Sequence, residues 1–224
     1  MSELAVQRQA PQAALRALKN PLYDTQEAPA AAAAVRNLVF FQSPLGNALN
    51  VTGALKTIAE TNLNQSGQIG IPNEFELFGF NTTFTYDTGY IEDSVGGPFS
   101  VLANFLDDVA ETYEQALFRF SFGQNRPYLQ VPFTRIPHGD YMLTGPAAAA
   151  QDNGATGLNI FAISNGCSDK KEFYKFFVND QPVPINSAEN FNAELQWNNP
   201  YGLEAAGDES RITVYLVGVL YTAL

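Results

Sequence analysis

Residues 211 to 224, RITVYLVGVLYTAL, constrain the fold more than any other stretch of the chain. The run contains no proline, one glycine and a single charge, its leading Arg211. Ile212, Val214, Leu216, Leu220 and Leu224 fall on one parity; Tyr215, Val217, Val219 and Tyr221 fall on the other. A strand sends alternate side chains to opposite faces, so this one is apolar on both and needs cover on both. At about 3.3 Å per residue it spans roughly 45 Å, well beyond the usual strand of about five or six residues. A buried helix is the competing reading. The β-branched and aromatic content, with the turn signal Gly207-Asp208-Glu209-Ser210 just before it, favours a strand. The last strand should therefore be central in a β-structure and lie between other layers.

Other segments repeat this pattern. Residues 35–43 (VRNLVFFQS) read as a first strand, followed by a turn at Pro44-Leu45-Gly46-Asn47, and 55–61 (LKTIAET) as a second. Residues 75–90 alternate, with Phe75, Leu77, Gly79, Asn81, Thr83 and Thr85 against Phe78, Phe80, Phe84 and Tyr86. In 116–122, Ala116, Phe118, Phe120 and Phe122 share a face. Prolines 127, 132 and 137 demote PYLQVPFTRIP to an edge or interrupted strand. LNIFAISN, the region around KEFYKFFVNDQPVPIN and FNAELQW (191–197) supply the rest, and 138–157 reads as a long low-complexity loop.

One segment changes period. Phe99, Leu102, Phe105, Leu106, Val109 and Tyr113 recur at three- and four-residue steps, which predicts an amphipathic helix over about 99–113. Residues 1–34, rich in Ala and Gln with prolines at 11, 21 and 29, read as a flexible N-terminal arm, with a short helix in QAALRALKN. Residues 35–224 then form one domain, a length that buries a substantial core. The fold class is all-β: a single jelly-roll β-sandwich of about eight antiparallel strands with one inserted helix and an N-terminal arm.

Charge and chemistry narrow the function. Only 16% of residues are charged, against about 25% in an ordinary domain, while 12% are aromatic, mostly the 17 Phe and 10 Tyr. So little charge barely coats a monomer, and interface cores show this same bias. A net charge of -11 argues against wholesale nucleic-acid coating. Arg8, Arg16, Lys19 and Arg36 concentrate four of the 12 basic residues near the N-terminus, so any contact with nucleic acid or an inner membrane falls to the arm and is weak. No positively charged region followed by an apolar core opens the chain, so a soluble, intracellularly made protein is the expectation.

His138 is the only histidine and lies in a turn context, which leaves no multi-histidine metal site and makes a catalytic role remote. Cys167, the only cysteine, sits near Lys170 and Lys171 but reads as a loop residue. Asp107, Asp108, Glu111 and Glu114 are better read as a solvated helix face than as a cation loop, and the same holds for Glu92-Asp93 and Asp208-Glu209. Phosphate-binding glycine motifs are absent. No catalytic, cofactor or metal site is expected, and no small-molecule substrate.

The helix at 99–113, LFRFSFGQNRPYLQVPFTRIP, ENFNAELQW and the closing RITVYLVGVLYTAL together resemble the jelly-roll capsid proteins of icosahedral, tailless bacterial viruses. The resemblance is one of pattern and spans about residues 35 to 224. It implies a bacteriophage structural protein that self-assembles into a capsid shell, made in the host cytoplasm and located in the virion. Its partners would be other copies of itself and other virion proteins, with Arg8, Arg16, Lys19, Tyr215 and Tyr221 as assembly contacts. The alternative is a jelly-roll binding module, lectin-like or a receptor-binding spike or vertex protein. There Trp197 and Tyr201 would stack a ligand; otherwise Trp197 packs under its loop.

Overall fold

The C-terminal stretch is strand and is central. The computed structural model describes residues 15–18, 21–85, 111–123, 127–137, 147–152, 158–163, 174–175, 181–203 and 210–223. Within them β1 (Leu15–Leu18), β2 (Leu22–Glu27), β3 (Val35–Phe40), β4 (Glu74–Thr85), β5 (Ala116–Phe122) and β6 (Pro127–Pro132) precede β7 (Ala147–Asp152) and β8 (Leu158–Ile163). Then come β9 (Tyr174–Lys175), β10 (Val183–Ile185), β11 (Phe191–Tyr201) and β12 (Arg211–Ala223). The protein is all-β, and every ladder between these strands is antiparallel.

β12 pairs along one side with β4, from Arg211↔Thr85 to Tyr221↔Glu74. Along the other it pairs first with β2, Arg211↔Glu27 to Leu216↔Leu22, and then with β1, Leu18↔Leu220 to Leu15↔Ala223. β10 and β9 line the far edge of β4. A second sheet has the order β3-β11-β5-β6, and β7 and β8 form a separate hairpin. As its prolines require, β6 is an edge strand, because proline has no N–H to give an inner ladder.

The two large sheets meet through rings. Phe80 of β4 reaches both Phe118 and Phe120 of β5, with centroids 4.9 Å away in each case. Ile212, Val214 and Leu216 of β12 are fully buried in the same core, with Phe40, Phe75, Leu77 and Leu195. The other face of β12 is only half covered: Tyr215, Val217, Val219 and Tyr221 all retain exposure. The cover expected on both faces is thus complete on one.

Several expectations need correction. β4 does not alternate cleanly: Val217 faces Gly79 but the next residue, Gly218, faces Leu77, so Phe78 is an extra, bulged residue. The bulge switches parity, and Phe75 and Leu77 before it point into the same core as Phe80 and Phe84 after it. Phe75 packs directly against Gly218, where an added Cβ would stand 2.2 Å from the Glu76 carbonyl oxygen and 2.4 Å from the Phe75 ring. Gly218→Ala is therefore expected to lower stability by about 1–3 kcal/mol, read as a drop in the urea midpoint at unchanged slope.

The segment 1–34 is not a free arm over its described part. Leu15–Leu18, expected to be helical, and Leu22–Glu27 are strands on β12, and 22–29 are almost wholly buried. A boundary at 34/35 therefore cuts through the first sheet. Residues 55–61 are not a strand but turns, for a reason given below. Ala147–Asp152, assigned to the long loop, pair with β8. Of the helix at 99–113, residues 99–110 lie outside the described residues, and 111–114 are helical.

Candidate assembly surface

Tyr215 and Tyr221 stand where the pattern of β12 puts them, on the parity opposite Ile212, Val214 and Leu216. Tyr215 tilts against Tyr23 of β2, centroids 6.1 Å apart. The Tyr221 hydroxyl donates to Glu76 Oε2 at 2.9 Å. Arg16 lies on β1 opposite Thr222; Arg8 and Lys19 fall outside the described residues.

What flanks this face was not foreseen. The long β3–β4 connection folds back on β2 and closes its free edge: Thr25 N–H donates to Glu60 O, Thr61 bridges Asp24, and Tyr23 N–H donates to Asn62 Oδ1. Within the connection, Pro44-Leu45-Gly46-Asn47 turns as expected, with Gly46 at φ 83°. A short hairpin follows, in which Gly46 N–H donates to Lys56 O, Lys56 N–H to Asn47 O and Leu49 N–H to Ala54 O. Residues 57–60 then close a turn, because Thr57-Ile58-Ala59-Glu60 is a capping box whose Glu60 Oε2 accepts from both the N–H and the hydroxyl of Thr57. That competing local chemistry is why 55–61 is not a strand.

Three carboxylates anchor this connection. Lys56 Nζ donates to Asp24 Oδ1 at 2.7 Å, and neither side chain is exposed at all. Asp24 Oδ2 accepts from Phe41 N–H at 2.7 Å and from Gln26 Nε2 at 3.3 Å. Phe41 sits at φ 68°, a left-handed conformation unfavourable for a bulky residue; there its N–H meets Asp24, and its carbonyl accepts from Gly67. Burial pushes the Asp24 carboxyl above its usual range, against the opposing pull of Lys56 and of the other donors. Glu27 accepts from Val51 N–H, Thr52 N–H and the Thr52 hydroxyl. Glu60 Oε1 accepts from Arg211 Nη1 at 2.9 Å. Burial raises Glu60, but the Thr57 donors and Arg211 outweigh it and hold the carboxyl below its usual range. The Tyr23 hydroxyl, which donates to Ile58 O, is pushed up by burial and by Tyr215 and Glu60.

Trp197 and Tyr201 do not form a ligand platform. They stack on each other, centroids 4.1 Å apart and nearly parallel, but Trp197 is 5% exposed and Tyr201 fully buried. The cause is parity: Phe191, Ala193, Leu195 and Trp197 alternate together and point into the core. The Tyr201 hydroxyl is tied to Thr112 Oγ1 at 2.7 Å.

His138, Cys167, Asp107, Asp108, Glu92-Asp93 and Asp208-Glu209 lie outside the described residues. Among the described residues no three His, Cys, Asp or Glu side chains cluster as metal ligands, and no helix is long and apolar enough to cross a membrane. A groove of about 480 Å³ across the second sheet is bordered by Arg36, by amides such as Asn37, Gln115 and Gln196, and by apolar residues that include Leu117 and the edge of Trp197; its lining holds one cation and no acid–base pair. Comparison with family models, curated proteins and solved structures finds no significant match.

The signals for the anchors were partly present. The capping box Thr57-x-x-Glu60 can be read from sequence; the pairing of Asp24 with Lys56, 32 residues on, cannot.

Proposed function

We propose that this chain is a single jelly-roll subunit that self-assembles into the shell of an icosahedral virus. The observation that carries the reading is the pairing pattern. The first strands pair with the last (β1 and β2 with β12), β3 with β11, β4 with β10 and β9, and β5 with β6. A chain doubled into one long antiparallel ribbon and then rolled makes these four pairings, and successive turns of the roll alternate between two sheets. The alternation holds for β2, β3, β4 and β5.

Assembly rather than catalysis is supported by the face of β12 that its own chain leaves half covered, aromatic and aliphatic along its length. It is supported also by the shortage of charge, which suits a subunit whose surface is largely shared with neighbours. The expected partners are further copies and other shell components, and the expected location is the virion.

Light scattering and negative-stain microscopy of the purified full chain test this directly. Large closed particles, or symmetric pentamers or hexamers, are the expected result. A strictly monomeric species across concentration and salt would overturn it.

A further inference from the structure

We propose that the hairpin and turn of residues 44–60, together with Tyr23 and Tyr215 beside it, form the contact by which two copies of this chain bind each other across a two-fold axis. The proposal rests on the self-assembly reading above and names a surface for it.

Exposure comes first. Among the described residues six large hydrophobic side chains are exposed, and four of them fall in this one short segment: Leu45 at 46%, Val51 at 41%, Leu55 at 67% and Ile58 at 74%. Single exposed apolar residues are ordinary, but several gathered on one hairpin mark an interaction surface. The surface continues onto the sheet. The Ile58 carbonyl is held by the Tyr23 hydroxyl, and the Tyr23 ring leans on Tyr215, both half-exposed. Aromatic anchors beside aliphatic ones are the composition of interface centres.

Charge selects the occupant. A copy of this chain carries a net charge of -11, so two copies repel wherever charged faces meet. From Pro44 to Ala59 the only charged residue is Lys56, which is buried and paired with Asp24. At the border Arg211 and Glu60 neutralise each other, and Glu27 is buried under the hairpin tip with its oxygens occupied. This region therefore offers a second copy an apolar face without like-charge repulsion. A face carrying the same aliphatic and hydroxyl groups on both sides is self-complementary, as a two-fold contact requires.

Rigidity completes the case. Asp24 and Glu27 fix the hairpin to β2, and Glu60 ties the turn after it to Arg211 of β12, so little loop entropy is lost when it is covered.

Sedimentation velocity and negative-stain microscopy of the full chain test the proposal on four proteins: wild type, Leu55→Asp, Ile58→Asp and the control Ile71→Asp. Ile71 is as exposed as Ile58, at 74%, but lies outside the hairpin. Far-ultraviolet circular dichroism establishes that each variant is folded. The expected result is that both hairpin variants stay folded and self-associate roughly 30-fold more weakly or worse, while Ile71→Asp behaves as wild type. Wild type that stops at dimers, broken by Ile58→Asp, would uphold this contact and remove the shell reading. Particles that form equally well with both hairpin substitutions would leave the shell reading standing and overturn this contact. Should wild type stay monomeric and float with phosphatidylcholine vesicles through the hairpin, the surface belongs to a membrane and the proposal fails; it fails likewise if wild type is monomeric without floating.

Discussion

Leu216→Asp is expected to leave no folded protein at neutral pH. Leu216 lies at the middle of the longest strand, between Phe80 of β4 and Leu22 of β2 in register, and none of its surface is exposed. Truncating a buried leucine alone removes about 2–5 kcal/mol. The aspartate would also have to ionise, or remain protonated at a further penalty, among the apolar side chains of Ile212, Val214 and Phe80. Together these exceed a large part of the roughly 5–15 kcal/mol that holds a domain of this size folded. Expression should yield insoluble chain, and refolded material should show no cooperative urea transition. Val217→Asp, one residue on and on the half-exposed face, should remain soluble and cooperative. A cooperative transition for Leu216→Asp near the wild-type midpoint would refute the assignment of faces along β12.

That assignment was legible from sequence because β12 obeys the simplest rule available, side chains alternating with period two. The same rule placed β5 and β11 and, applied strictly, would have turned Trp197 inward beside Leu195 and Phe191. Of the two expectations for Trp197, packing under its loop agrees with this rule and stacking a ligand does not. The rule fails at β4, where a one-residue bulge reverses the faces; the glycine at position 79, weakening a strand interior, was the available sign. It fails differently at β2. Leu22-Tyr23-Asp24-Thr25-Gln26-Glu27 looks like solvated chain, yet all but Tyr23 are buried. Polar side chains are tolerated there because each finds a partner: Asp24 and Glu27 in the β3–β4 connection, Thr25 in the Thr213 hydroxyl of β12, and Gln26 in the Val39 carbonyl of β3. Such satisfaction depends on residues tens of positions away, and composition alone made the segment an arm. The candidate assembly surface was half legible for the same reason: Tyr215 and Tyr221 follow from strand parity, whereas the seating of the hairpin near Tyr23 and Tyr215 depends on carboxylates far away in the chain.

The anchoring pair gives the second large effect. Lys56→Met should lower stability at pH 7 by about 3–5 kcal/mol, because it strands the Asp24 carboxylate in a site without solvent. The deficit should shrink in acid. Folding already raises Asp24 above its unfolded value, burial being the main cause, and removing Lys56 takes away the strongest opposing influence. A carboxyl raised on folding contributes its full stability below its unfolded pKa and loses it as pH rises through the folded pKa. The variant therefore suffers most at neutral pH and least once Asp24 is protonated. Glu60 runs the other way: lowered on folding, it stabilises above its unfolded pKa and that contribution fades as pH falls through the folded pKa. Glu60 is common to both proteins, so its fading cancels in the difference between them. Urea midpoints for wild type and Lys56→Met at pH 7 and at about pH 4 thus isolate Asp24. A gap between the two proteins that is equal at both pH values, or wider in acid, would mean that Lys56 acts through packing of its alkyl stem and not through the charge it holds against Asp24.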